Sequence, residues 1–148
     1  MSEPAARAWV DGGARGNPGP AGFGVILEHA GGREEIGGYL GSTTNNVAEY
    51  AALATLLGRA LELGLPRLEV ASDSELVVKQ VAGAYKVRAP HLQPIFLGVQ
   101  AMKRRIAHFR LRHVPREQNR EADRLANRAI DERLPLPGCL DRSLLPPR

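Results

Sequence analysis

Four carboxylates in this chain stand where a polar surface residue is not expected: Asp11, Glu49, Asp73 and Asp123. Asp11 closes the apolar run Ala8-Trp9-Val10 and is followed at once by Gly12-Gly13, so its side chain heads into protein. A buried carboxylate without a partner is costly, and it either keeps a proton or finds a cation. Glu49 heads a helical stripe with Leu53, Leu56, Ala60 and Leu63, which aims it at the interior. The competing explanation is a capping box, with Asn46 as the cap and Glu49 reaching back. Asp73 falls at the carboxyl end of a short strand, where open α/β sheets place ligand groups, although a helix cap would also account for it. Asp123 comes one turn into the last helix beside Ala122, Leu125 and Ala126; complementing the helix dipole is its simpler explanation. Taken singly, each residue is ambiguous. Converging at one edge of a sheet, the four would form an all-oxygen cluster whose repulsion a hard divalent cation relieves; magnesium suits that donor set, with manganese as a substitute. Two such ions about 4 Å apart can activate a water and stabilise the leaving oxygen of an in-line phosphodiester displacement without a protein nucleophile. The chain offers no competing nucleophile, since Cys139 lies near the end and no serine stands in a nucleophile elbow.

Bringing these groups together requires a sheet with helices against it, and the apolar pattern supplies one. Residues 8–13, 22–28 and 34–40 read as three strands, the last two joined by a turn at Gly31-Gly32. The polar cluster 42–46 starts a helix over 47–63, which Gly64 and Pro66 stop. A short strand at 68–72 ends at Asp73, a helix spans 75–81, and another runs over 90–105. Phe109, Leu111 and His113 alternate with His108, Arg110 and Arg112, which predicts a half-buried strand that Pro115 ends. A last helix covers 119–133. The early strands can pair as hairpins, whereas the later ones need helical crossovers and should pair parallel. The expected fold is therefore α/β, a five-stranded mixed sheet (three antiparallel strands, two parallel) flanked by helices. One domain spans 1–133, and 134–148 is a proline-rich irregular tail to which no role attaches.

Composition narrows the classes. With 148 residues, 43% of them hydrophobic and 24% charged, the chain is one globular domain rather than a disordered segment. No apolar run approaches the roughly 18 residues that span a bilayer, and residues 1–7 lack a leader's apolar core. A cytoplasmic monomer without membrane contact is the expectation. The single cysteine excludes an internal disulfide and a cysteine-built zinc site. A net charge of +4, with arginines crowded late in the chain, favours a phosphate-bearing partner.

In combination these residues resemble the type-one branch of the ribonuclease H family. The resemblance covers about residues 7 to 133. It rests on Asp11-Gly12-Gly13 with Asn17-Pro18-Gly19-Pro20, Thr44-Asn45-Asn46 with Glu49, Asp73-Ser74, and His113 with Asn119 and Asp123, in that order. It implies the ribonuclease H-like fold and a metal-dependent endonuclease that hydrolyses the RNA strand of an RNA–DNA hybrid, leaving 3′ hydroxyl and 5′ phosphate ends. By the same resemblance Asp11 would bridge two magnesium ions, Glu49 and Asp73 would complete one site, and Asp123 the other. His113 would sit on a mobile loop and assist proton transfer or product release. Asn17, Asn45 and Asn46 would read the wide, shallow minor groove of an A-like duplex, and backbone groups near Gly12 and Gly13 would meet ribose 2′ hydroxyls. Thr44 would hold a phosphate of the DNA strand. His29, His91 and His108 are expected to be ordinary surface residues.

Two departures from the family pattern carry expectations. Glu75 stands where many members have glutamine, adding negative charge near the site. The segment 83–88 replaces the tryptophan- and lysine-rich protrusion of some bacterial members, so grip on a hybrid would fall to Lys79, Lys86, Arg88 and the late arginines. Two other readings compete: a non-cutting nucleic-acid binding module, and a nuclease of the same fold acting on double-stranded RNA or branched DNA. A pure binder has no reason to store repelling carboxylates beside phosphates.

Overall fold

The computed structural model describes residues 5–147; residues 1–4 and 148, which the expected domain and tail include, lie outside the described residues. The elements are β1 (Ala6–Ala14), β2 (Gly19–His29), β3 (Gly32–Thr43), α1 (Asn45–Leu63), β4 (Arg67–Ser72), α2 (Glu75–Val81), α3 (Gln93–Arg104), β5 (His108–His113) and α4 (Arg120–Asp131). They build one sheet in the order β3-β2-β1-β4-β5. The β1–β2 and β2–β3 pairs are antiparallel, and the β1–β4 and β4–β5 pairs are parallel. The five-stranded mixed sheet expected from the pattern is the one observed.

Alternation along β1 and β2 sorts the two faces. Ala6, Ala8 and Val10 with Phe23, Val25 and Leu27 enter the main core beside α1 and α3, while Ile26 joins Ala122 and Leu125 of α4, with Trp9 packed at the edge. Two glycines allow the helices to close on the sheet. A Cβ at Gly12 would overlap the Ala48 carbonyl and stand 2.6 Å from the Glu49 amide nitrogen; one at Gly24 would stand 2.6 Å from the Ala122 carbonyl oxygen. Only a residue without a side chain lets each helix approach so near, and these helices carry Glu49 and Asp123.

Several boundaries differ from the sequence reading. The N-cap of α1 is Thr44, whose Oγ1 accepts from the Val47 amide at 3.3 Å; Asn46 therefore is not the cap, and Glu49 is free of capping duty. The helix expected over 90–105 opens as a 3-10 turn, Pro90–Leu92, and becomes α-helical at Gln93. α4 stops at Asp131, and Arg133 turns the chain with φ of 49°. His29 is no ordinary surface residue: its Nε2 lies 2.7 Å from Glu34, which also takes Arg59 at 2.8 Å, because the β2–β3 register folds the hairpin end over α1. His91 and His108 are exposed as expected.

Beyond α4 the backbone is irregular apart from a 3-10 turn, Arg142–Leu144, yet it lies against the domain. The Leu134 carbonyl accepts from the Tyr39 amide at 2.8 Å. Leu140 is 3% exposed within the main core, and Leu136 and Leu144 pack against it. A Cβ at Gly58 of α1 would overlap the Cys139 carbonyl. No helix among the described residues is long and apolar enough to cross a membrane.

Candidate active site

Parallel pairing of β1 with β4 brings their carboxyl ends level. The register Val10↔Ser72 makes Asp11 and Asp73 the next residues along on each side. Close packing of α1 on Gly12 then supplies Glu49, whose Oε1 accepts from the Gly12 amide at 2.6 Å. Asp11, Glu49 and Asp73 each offer a carboxylate oxygen within 4.8 Å of the others. Asp123, in the first turn of α4, stands outside that trio but hydrogen-bonds with Asp11 and lines the same cleft of about 500 Å³. All four sequence-predicted carboxylates are thus gathered, three as a tight group and Asp123 beside Asp11 in the same cleft lining.

The electrostatics follow from that crowding. Asp11 and Glu49 are each only 8% exposed. Burial first, then the neighbouring Glu49 and Asp73 charges and a hydrogen bond with Asp123, push the Asp11 carboxyl up to about 10. Burial likewise raises Glu49 to about 7, opposed by the Gly12 amide bond. Oxygen-only donors that repel one another so strongly fit a hard divalent cation.

The remaining candidates divide. Gly13, Asn45 and Asn46 line the cleft. Asn45 Oδ1 accepts from the Ala14 amide at 2.7 Å, and Asn17 Oδ1 accepts from the Asn45 amide at 3.1 Å. Both carbonyl oxygens tie the β1–β2 loop to the start of α1, which leaves the NH2 groups as the outward-facing donors. Of the backbone groups near Gly12 and Gly13, the Gly12 N–H is taken by Glu49. Thr44 and Asn17 lie at the margin, outside the cleft lining. His113 is the last residue of β5, paired with Ser72, rather than part of a loop, and it does not line the cleft. The strand thus ends where the alternation placed it, and the mobile loop implied by the resemblance is not what holds His113. Glu75, exposed and outside the cleft lining, is held by Lys79 at 2.6 Å, which lowers its carboxyl and offsets the extra charge expected there.

One cleft residue escaped the sequence reading, and another, quoted there only as part of the resemblance, gains a role. Arg116 lines the cleft, its side chain 81% exposed and its Nη2 3.8 Å from Asp123 Oδ1. A cation just ahead of a helix N-terminus opposes the dipole, and that mismatch was the available signal. Asn119, fully buried, donates from Nδ2 to the Val10 carbonyl at 2.9 Å, fixing the start of α4 to the backbone that carries Asp11.

Comparison with known proteins agrees with this geometry. A family model described as reverse transcriptase-like matches residues 9–129. The chain is 43% identical over 125 residues to a bifunctional protein of Mycobacterium tuberculosis, a match covering 82% of this chain and 34% of that protein; it thus spans about a third of the length of its mycobacterial relatives. It is 34% identical over 149 residues to a ribonuclease H of Methylococcus capsulatus, covering 90% of this chain and 94% of that one. Among solved structures, LC11-RNase H1 in complex with an RNA/DNA hybrid superposes with a TM-score of 0.79 at 42% identity, over 86% of this chain and 97% of that one. Sequence, sheet order and likeness to a relative matched over nearly its whole length lead to one assignment, and the chain belongs to the ribonuclease H family.

Proposed function

We propose that this chain is a metal-dependent endonuclease that hydrolyses the RNA strand of RNA–DNA hybrids, leaving a 3′ hydroxyl and a 5′ phosphate. The observation that carries the reading is the convergence of Asp11, Glu49, Asp73 and Asp123 on one open cleft rimmed by amide donors. Family membership and the likeness to LC11-RNase H1, solved with an RNA/DNA hybrid, support the substrate. Asp11, Glu49 and Asp73 would hold one magnesium ion, and Asp11 with Asp123 a second; manganese would fit the same oxygens. Bound there, such ions lower the pKa of water and neutralise charge on the phosphate.

The chain's own groups do the rest. The Gly12 amide holds Glu49 in one orientation, and Asp11 would lose its proton on taking up a cation. The free NH2 groups of Asn17, Asn45 and Asn46 suit the acceptors and 2′ hydroxyls of a shallow minor groove. Of the two arginines that line the cleft among the described residues, Arg15 is held by Asp131 at 2.5 Å, which leaves Arg116 to meet charge developing on the phosphate. As water adds to phosphorus in line, the P–O3′ bond breaks and the 3′ oxygen takes a proton to become the hydroxyl.

The test is cleavage of hybrid, double-stranded RNA and double-stranded DNA side by side, with magnesium, manganese or chelator. Hybrid should be cut with either metal and not with chelator, and Asp73→Asn should lower the rate more than about 100-fold, beyond the loss typical of groups that merely support metal ligands. Folding and hybrid affinity should persist in that variant. Undiminished cleavage by Asp73→Asn would remove the mechanism, and preference for double-stranded RNA would move the substrate.

A further inference from the structure

α4 covers β2, β3 and one side of β1, and it leaves the same face of β4 and β5 open. Directly paired residues point to one side of a sheet. The rows on this face are therefore Arg7–Glu69–Arg110, Trp9–Ala71–Arg112 and Arg67–His108. None of the four arginines has a carboxylate at ion-pair distance among the described residues. The acids at the margin are partly spoken for, since Arg33 holds Glu28 and Glu121, and Glu69 is the only carboxylate in the rows themselves. Unpaired guanidinium groups on an uncovered sheet attract phosphate.

The middle row adds a slot. Trp9, the chain's one tryptophan, rests on the Ile26 and Leu125 cluster. The small Ala71 beside it leaves a hollow of about 250 Å³ between the indole and Arg112. A nucleobase stacked on an indole, with arginines on its phosphates, is how sheet platforms hold unpaired strands. Bases inside a duplex stack on each other and offer no such face, so the fitting occupant is single-stranded. Asp11 and Asp73 lie two residues beyond Trp9 and Ala71, about 7 Å along the strands, so the face runs directly into the acidic cleft.

We propose that this open face binds a single nucleic-acid strand, with one base against Trp9 and phosphates on Arg7, Arg110 and Arg112. Its role, which rests on the function proposed above, is to hold the single-stranded flank of the nucleic acid whose duplex part occupies the cleft. The experiment uses the full chain in chelator, titrated with an oligothymidylate of about ten nucleotides, within the range one such platform binds, while tryptophan fluorescence is followed. Saturable quenching is expected. Arg110→Ala with Arg112→Ala should weaken binding at least tenfold and reduce the slope of log affinity against log salt by about 1.4, or 0.7 per lost phosphate contact. The doubly Lys-substituted variant should retain most of the affinity. Absence of quenching, equal affinity in the double alanine variant, or displacement by polyglutamate as readily as by unlabelled oligothymidylate would overturn the proposal. Cleavage of blunt hybrid is read separately: a chain that cuts hybrid without quenching refutes this inference alone, and one that is quenched without cutting refutes the function and leaves the binding face standing.

Discussion

Burial and neighbouring carboxylates hold Asp11 up at about 10 and Glu49 at about 7, against ordinary values of 3.8 and 4.5, so without a cation the site keeps protons in place of charge. Groups whose folded values are raised contribute stability that is fully present below the ordinary carboxylate range and is lost as pH climbs through the folded values. The metal-free protein should therefore melt at progressively lower temperature as pH rises from about 5 to about 9. Asp11→Asn should flatten that decline, and millimolar magnesium should reverse it in the parent by binding the deprotonated acids. Melting curves in chelator check this; parallel slopes in parent and variant would contradict it. At this scale the residue types were legible, because a carboxylate in an apolar setting is conspicuous in any sequence. That Arg116 lines the cleft and His113 does not was not, because it depends on the 3-10 turn Arg116–Gln118, which no strand or helix period announces.

Helices reach the site through glycines, and that arrangement can be tested one element at a time. Gly12→Ala would drive a methyl into the backbone of α1. Overpacking of this kind costs about 1–3 kcal/mol, read by urea unfolding, and it should also lower the cleavage rate because α1 carries Glu49. Gly13→Ala is the contrast: its Cβ meets nothing nearer than Asn45 Oδ1 at 3.8 Å, so stability should change by less than about 0.5 kcal/mol. Equal losses in the two variants would show that close approach is not what Gly12 provides. The existence of α1 was legible from its apolar stripe. Its cap was not, since Ser42-Thr43-Thr44-Asn45-Asn46 offers several side chains of similar capping strength. The tethers of Asn45 to Ala14 and of Asn17 to Asn45 accompany a helix that begins where Thr44 caps it.

The segment after α4 belongs to the molecule's packing although its composition suggests otherwise. Leu140 lies in the same core as Leu53 and Val99, so Leu140→Ala should cost about 2–5 kcal/mol, the range for truncating a buried leucine. A chain ended after residue 133 should melt lower than the full one; scanning calorimetry on both would check it, and unchanged melting would show that the segment merely lies on the surface. The prolines that make 134–148 read as a tail do not prevent it from lying along α1 and α3, because an irregular backbone needs only shape and a few apolar anchors to pack.

From the sequence alone came the number and type of the strands and helices, the parallel pairing of the last two strands, and four acids in suspicious places. Those features are written in periods of two and 3.6 residues and in crossover lengths, all readable within short windows. Only the tertiary structure decided that three of the acids close to within 4.8 Å while Asp123 lines the same cleft outside that trio, that the Gly12 amide serves Glu49, and that Cys139 lies on Gly58. These are contacts between residues far apart in the chain, set by how closely whole elements approach, and no local propensity encodes that distance.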